Sequence, residues 1–298
     1  MNNPLLKTIC YGEILWDVFP TYKKIGGASL NVCIRLSSFG SKTTLISSVG
    51  KDAIGQELLT KIKKKHPNLN TQYIQESSFP TSEVKVSLDK DGIANYVIKE
   101  PVAWDDIKFE NEIHDKVANS DILIFGSLVC RRDTSLSTLL QLLKVAKFKV
   151  FDVNLRPPHY TIKLIKKLMD LADFIKFNDE ELFEISNVLG FNNASIEENI
   201  HFIAQITNTD NICVTKGANG AVLFSKNKFY YNKGYSVKVV DTVGSGDSFL
   251  ASIVYKIAQN TDPDESLSYA CAVGALVASH EGANPDITPE EITNLINS

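Results

Sequence analysis

At 298 residues, with 44% hydrophobic and 22% charged side chains, the chain is long enough for a sizeable core and has the balance of an ordinary globular protein. A net charge of −4 argues against a nucleic-acid binder, which would carry a basic face, and no run of about 18 apolar residues marks a membrane span. Cys10, Cys33, Cys130, Cys213 and Cys271 are scattered without a CxxC pair, so neither a disulfide framework nor a zinc knuckle is indicated; a reducing compartment, by default the cytoplasm, is expected. The N-terminal residues lack the charged start and long apolar core of a signal peptide.

In chain order, residues 8–15 read as a first strand with Asp17 at its end. Gly26-Gly-Ala-Ser-Leu-Asn31 then enters a helix carrying Val32, Ile34, Leu36 and Phe39 and stopping near Gly40. In that turn Gly27 would expose backbone to a ligand, Asn31 offers donors and an acceptor, and the Asp17 carboxylate could grip two hydroxyls. Taken singly, each is also explained as a turn residue. The basic run from Lys61 to Lys65, beside Glu57, reads as a solvated helix face.

Residues 83–88 and 94–98 alternate polar and apolar side chains around Lys90-Asp-Gly92, a β-hairpin signature. With residues 15–25, the 81–104 segment could form a small separate sheet acting as a lid. From residue 120 onward, apolar runs at 121–125, 149–153, 174–177 and 212–215 alternate with helical stretches near 134–146, 161–171 and 180–189, and a hairpin follows at 220–231. That rhythm implies a mostly parallel sheet with helices on both faces, its binding site at the carboxyl ends of the strands.

The most informative stretch is Asp241-Thr-Val-Gly-Ser-Gly-Asp-Ser-Phe249. It is expected to follow a strand at 235–240 and to open a helix whose apolar stripe is Phe249, Leu250, Ile253, Val254 and Ile257. Gly244, Ser245 and Gly246 then lie at a helix N-terminus, where unladdered N–H groups and the helix dipole make an anion hole for phosphoryl oxygens. Asp247, on the first turn, can align an acceptor hydroxyl and take its proton as general base. A helix-start carboxylate that merely suits the dipole is the plain alternative.

Together the GGAxxN and DTxGxGDxF motifs resemble the PfkB/ribokinase family of carbohydrate kinases over nearly the whole chain. The resemblance implies a ribokinase-like three-layer α/β/α fold, a single kinase domain over residues 1–298, and a β-sheet lid from residues 15–25 and 81–104 that doubles as a homodimer interface. It matches Asp247 to the base, Gly244, Ser245 and Gly246 to the anion hole, and Asp17, Gly27 and Asn31 to the sugar site. Asn178 and Glu181 match an NxxE element that organises Mg²⁺ through water, although an N-capped helix start accounts for the same residues. Thr215, Gly217 and Gly220 match the nucleotide loop. Residues 282–285, with Asn284, match the segment over the adenine, where backbone carbonyls and Asp241 could hold K⁺. ATP and Mg²⁺ are the implied cosubstrate and cofactor.

Three stretches, at 12–17, 101–105 and 152–157, look most like the fructokinase branch, in which Asn154 and Arg156 could contact substrate or phosphates. The expected reaction is fructose plus MgATP giving fructose 6-phosphate. A ribokinase-like, other small-sugar or nucleoside kinase and a catalytically silent sugar sensor are the alternatives. There is no GxxxxGK P-loop and no protein-kinase motif set. No GxGxxG follows the first strand, which argues against a dinucleotide-binding oxidoreductase.

Overall fold

A computed structural model describes residues 5–88 and 94–298. The chain folds as two compact units, one running to Leu123 and taking in Val129–Lys147, the other made of Ile124–Leu128 and Phe148–Ser298. In chain order the first contains β1 (Lys7–Tyr11), β2 (Leu15–Val18), β3 (Lys23–Gly26), α1 (Ala28–Ser38), β4 (Lys42–Gly50), α2 (Ala53–Lys65), β5 (Ile74–Ser77), β6 (Glu83–Leu88), β7 (Ala94–Val97) and α3 (Asn111–Ala118). The strand β8 (Ile122–Gly126) follows, with its first two residues in this unit, and α4 (Asp133–Leu142) completes it.

β1 pairs parallel with β4, Cys10 opposite Leu45, and β4 pairs parallel with β5. Thr8 through Tyr11 are all buried, as a strand covered on both faces requires. A separate small sheet has the order β3-β2-β6-β7, built from the two segments expected to form it. The Lys90-Asp-Gly92 turn lies outside the described residues. The expected first strand, 8–15, is too long: β1 ends at Tyr11 and Asp17 lies within β2, opposite Lys24 of β3 and Val84 of β6. Gly12 follows the end of β1, and a Cβ there would meet the Ser29 hydroxyl at 2.0 Å. The fully buried Trp16 is flanked by the ammonium groups of Lys23 and Lys61, at 4.4 and 4.6 Å from its ring. Both lysines pair with Glu57, which ties the small sheet to α2.

The second unit contains β9 (Lys149–Asp152), α5 (Ile162–Met169), β10 (Phe174–Asn178), α6 (Asp179–Val188), α7 (Ile196–Thr207), β11 (Asn211–Thr215), β12 (Ala221–Ser225), β13 (Lys228–Asn232), α8 (Ser245–Ala258), α9 (Pro263–Ala278) and α10 (Pro289–Ile296). β9, β10 and β11 run parallel, and β12 and β13 add an antiparallel meander. In the large, mostly parallel sheet the strand order is β13-β12-β11-β10-β9-β8-β1-β4-β5. Helices α6 and α7 pack on β11, and α9 packs on β12 and β13.

The strand expected at 235–240 does not form. Val239 and Val240 are 58% and 53% exposed, and the Val240 N–H donates to the Ala278 carbonyl at the end of α9 instead of to a sheet neighbour. All five cysteines are buried free thiols. No helix among the described residues is long and apolar enough to cross a membrane.

Candidate active site

In the second unit the chain enters α8 through Gly244, whose φ of 76° is a left-handed conformation that side chains rarely adopt. Space imposes the same choice: a Cβ on Gly244 would lie 2.5 Å from both the Cβ and the carbonyl oxygen of Ala283. The turn therefore sits directly against the 282–285 segment. The first helical bond of α8 runs from the Ser248 N–H to the Gly244 carbonyl, at 2.8 Å. The amides of Gly246 and Asp247 precede it and have no place in the helical ladder.

Ser245 differs from what its place in the anion-hole motif suggests. Its N–H donates to the Thr242 carbonyl at 3.2 Å, and its hydroxyl donates to the Gly274 carbonyl of α9 at 2.8 Å. Both groups brace the turn. Asp247 is partly exposed on the first turn, where the amide dipoles favour a carboxylate. Asp241 closes the loop on its other side: one carboxylate oxygen accepts the Val243 N–H and the other the Gly282 N–H, each at 3.0 Å. One side chain thus joins the Gly244 turn to the segment containing Asn284.

The carboxyl ends of β9, β10 and β11 bring several expected residues side by side. Asn178 and Thr215 are direct register partners across β10 and β11. Asn178 caps α6, its Oδ1 accepting the Glu181 N–H at 2.7 Å, while Glu181 Oε2 accepts the Asn178 N–H at 2.9 Å. This reciprocal capping box is what the spacing of the NxxE element serves locally. The other Glu181 oxygen accepts the Leu155 N–H at 2.8 Å, so the same carboxylate also fixes the loop after β9. Glu181 is 6% exposed, and burial pushes its pKa up, with Asp152 adding to the rise and Lys176 opposing it.

Asn154 in that loop has a φ of 39°, a backbone state that Asn tolerates better than most residues. Arg156 is exposed, and its guanidinium donates to the Leu155 carbonyl at 2.8 Å. In the nucleotide-loop motif, a Cβ on Gly220 would collide with the Asn232 carbonyl at 2.1 Å, while Gly217 has a φ of 54° with open space around it. Gly220 thus admits the neighbouring 232–234 strand end, and the Thr215 hydroxyl donates to the Phe177 carbonyl at 3.3 Å.

Lys176 was missed in the sequence. It is 6% exposed in the middle of β10, directly opposite Asp152 of β9, and its ammonium donates to Asp152 Oδ1 at 3.0 Å. The signal was a lysine between Ile175 and Phe177 in a strand that must be buried on both faces.

In the first unit, Gly27 has a φ of 113°, and a Cβ there would lie 2.4 Å from the Glu13 carbonyl. Glu13, also missed, is buried and accepts the Ala28 N–H at 3.1 Å, holding the start of α1. Asn31 is buried one turn into α1, its N–H donating to the Gly27 carbonyl at 2.9 Å. Gly26 matters through space rather than dihedral freedom: a Cβ there would lie 2.1 Å from Asp17 Oδ2. The Asp17 carboxylate therefore lies over Gly26, beside the Gly27–Asn31 turn.

This chain is similar to known proteins over nearly its full length. A ribokinase of Dictyostelium discoideum is 30% identical over 276 residues, covering 86% of this chain and 84% of its own. A probable fructokinase of Arabidopsis thaliana is 26% identical over 327 residues, covering 100% and 98%. The structure of a Vibrio cholerae O395 fructokinase bound to fructose, ADP and a potassium ion superposes with a TM-score of 0.83, at 21% identity, over 99% of this chain and 100% of the other, which shows a shared fold. The family model for pfkB family carbohydrate kinases matches residues 7–290. The chain belongs to the pfkB family of carbohydrate kinases.

Proposed function

We propose that the protein is an ATP-dependent sugar kinase that phosphorylates fructose at its 6-hydroxyl. The observation that carries this reading is the entry to α8: a carboxylate, Asp247, shares a first turn with amides outside the helical ladder, behind a Gly244 turn whose dihedral and crowding both select glycine. Amide N–H groups there are suited to charge on the migrating phosphoryl group, which supplies most of the rate in such transfers. Asp247 takes the proton of the acceptor hydroxyl while that oxygen bonds to the γ-phosphorus. The bond to the bridging oxygen breaks, and ADP leaves.

Asp17, Gly27 and Asn31 are assigned to the sugar, with Asn154 and Arg156 contributing to substrate or phosphates. Thr215, Gly217, Gly220 and Asn284 are assigned to the nucleotide. Both Glu181 oxygens already accept N–H groups, so this carboxylate fits Mg²⁺ through intervening water, and the ion when bound would neutralise phosphate oxygens. Asp241, with carbonyls of the 282–285 segment, is assigned to K⁺; the Vibrio protein holds that ion. The domain is read as one kinase domain with the small sheet as lid and homodimer contact. Five buried free thiols accord with a cytoplasmic location.

Fructose is favoured by the fructokinase-like stretches and by the fructose-bound Vibrio relative. A ribose-type acceptor is the second reading, favoured by the 30% identity to a ribokinase. A coupled ADP-release screen over fructose, ribose, glucose, 2-keto-3-deoxygluconate, tagatose phosphate and nucleosides separates them. Fructose should give the highest kcat/KM, and Asp247→Ala should lower kcat at least about 10²-fold with nucleotide affinity retained. Full turnover in a folded Asp247→Ala protein would reject the assignment.

A further inference from the structure

Lys176 is a buried cation at the phosphate cradle that the reading above leaves without a role. Its ammonium, 3.0 Å from Asp152, lies 3.6 Å from the point a Cβ on Gly246 would occupy, against the first turn of α8. Three carboxylates act on it: Asp152 from β9, Glu181 from α6 and Asp247 from α8. Burial alone would lower its pKa, but the attraction of Asp152 and Glu181, with a smaller share from Asp247, outweighs burial and raises it. Lys176 is therefore an ammonium ion throughout the neutral range. A buried ion pair is a poor device for stability alone, since an apolar pair of similar volume often does as well.

We infer that Lys176 is a positioning residue for phosphoryl transfer: anchored on Asp152, its ammonium holds the first turn of α8 and the Asp247 carboxylate in working register. This rests on Asp247 being the base. Asp152 and Lys176 face each other across paired strands, so the cation has a fixed seat on the sheet. A Cβ built at Gly246 would be in ordinary van der Waals contact with the ammonium, which puts Lys176 next to the first turn of α8. Without the cation, Asp152, Glu181 and Asp247 would lose the positive charge that each of them attracts, and the Asp247 carboxylate would lose that restraint.

The test uses the full chain. Lys176→Met should lower kcat about 10²-fold, the scale of a misplaced reacting group, with the sugar KM within about threefold of wild type. Lys176→Arg, which restores the charge, should recover at least tenfold of that loss. Since Lys176→Met alone strands the buried Asp152 carboxylate, the Asp152→Asn/Lys176→Met double variant is measured beside it, with melting curves for all. A folded double variant that stays about 10²-fold down in kcat supports the proposal. Recovery of kcat to within threefold overturns it, leaving Lys176 as a counter-ion to Asp152 only. A wild-type enzyme that phosphorylates no sugar defeats the kinase reading instead. A crystal structure of the double variant then decides for Lys176, and an unmoved Asp247 side chain overturns the inference.

Discussion

Gly26→Ala isolates the link between the glycine turn and the sugar. Gly26 is buried opposite Leu15 in the β2–β3 ladder and does not need a positive φ, so its backbone accepts alanine. Its surroundings do not. The new Cβ would lie 2.1 Å from Asp17 Oδ2, 2.9 Å from Asp17 Cγ and 3.0 Å from Leu15 Cδ1. The cheapest relief is rotation of Asp17, which carries its carboxylate off the turn. A hydrogen bond to a charged group is worth about 1.5–3 kcal/mol. Losing one such contact therefore raises the sugar KM about ten- to a hundredfold. Steady-state kinetics with the sugar varied at saturating MgATP measures this, with the KM for ATP as control. If Gly26 acts only by making room for Asp17, the Asp17→Ala/Gly26→Ala double variant is no worse than Asp17→Ala alone. A wild-type sugar KM in Gly26→Ala, or penalties that simply add, would refute the reasoning.

Gly244→Ala forces a left-handed residue against Ala283, a dihedral cost of about 1–2 kcal/mol before the 2.5 Å clash is counted; kcat should fall at least tenfold in the coupled assay, and an unchanged kcat would mean the turn is not the cradle. Ser245→Ala removes a hydroxyl that binds Gly274, so stability should drop by about 1 kcal/mol in urea titrations while kcat stays within twofold. Asp52, the N-cap of α2, accepts the Gly55 N–H at 2.7 Å and both the N–H and hydroxyl of Thr81. Burial pushes its pKa up, but these bonds outweigh it and hold it below the ordinary 3.8. The stabilisation is thus fully present above pH 3.8 and drains away as pH falls through the lower folded value. Asp52→Asn keeps one capping oxygen but sets an amide donor against the Thr81 N–H, so it should cost about 1 kcal/mol at pH 7, and its melting-temperature gap to wild type should narrow steadily as pH falls below 3.8; a gap of unchanged size across that range would disprove the linkage.

The two glycine turns could be read because their requirements are local. A left-handed residue or a missing Cβ at Gly244 and Gly27 leaves a glycine in the sequence wherever the rest of the chain goes. The alternation of buried strands and helices after residue 120 was legible for the same reason, since each run reports only its own burial. What failed depended on distant partners. Residues 235–240 have a strand-like composition, yet Val240 finds its acceptor on α9 rather than on a sheet neighbour. Asp17 looked like the end of the first strand because nothing nearby reveals that β1 stops at Tyr11 and that Asp17 belongs to β2 of another sheet. Lys176 left only the signal of a lysine in a doubly covered strand and Glu13 left none, their partners Asp152 and Ala28 lying 24 and 15 residues away. Ser245 was placed correctly on the turn, but its bond to Gly274 needed α9 in position.

The bond from Leu155 to Glu181 bears on which residues around it can vary. It pins the main chain between Asn154 and Arg156 through an amide that every residue except proline possesses. The two flanking side chains are not needed for that anchor. Arg156 can therefore be exchanged while the loop keeps its path, whereas Asn154, at a φ of 39°, is limited to residues that tolerate that backbone state. Glu181 itself has no such latitude, because replacing it would release that loop and the start of α6 together.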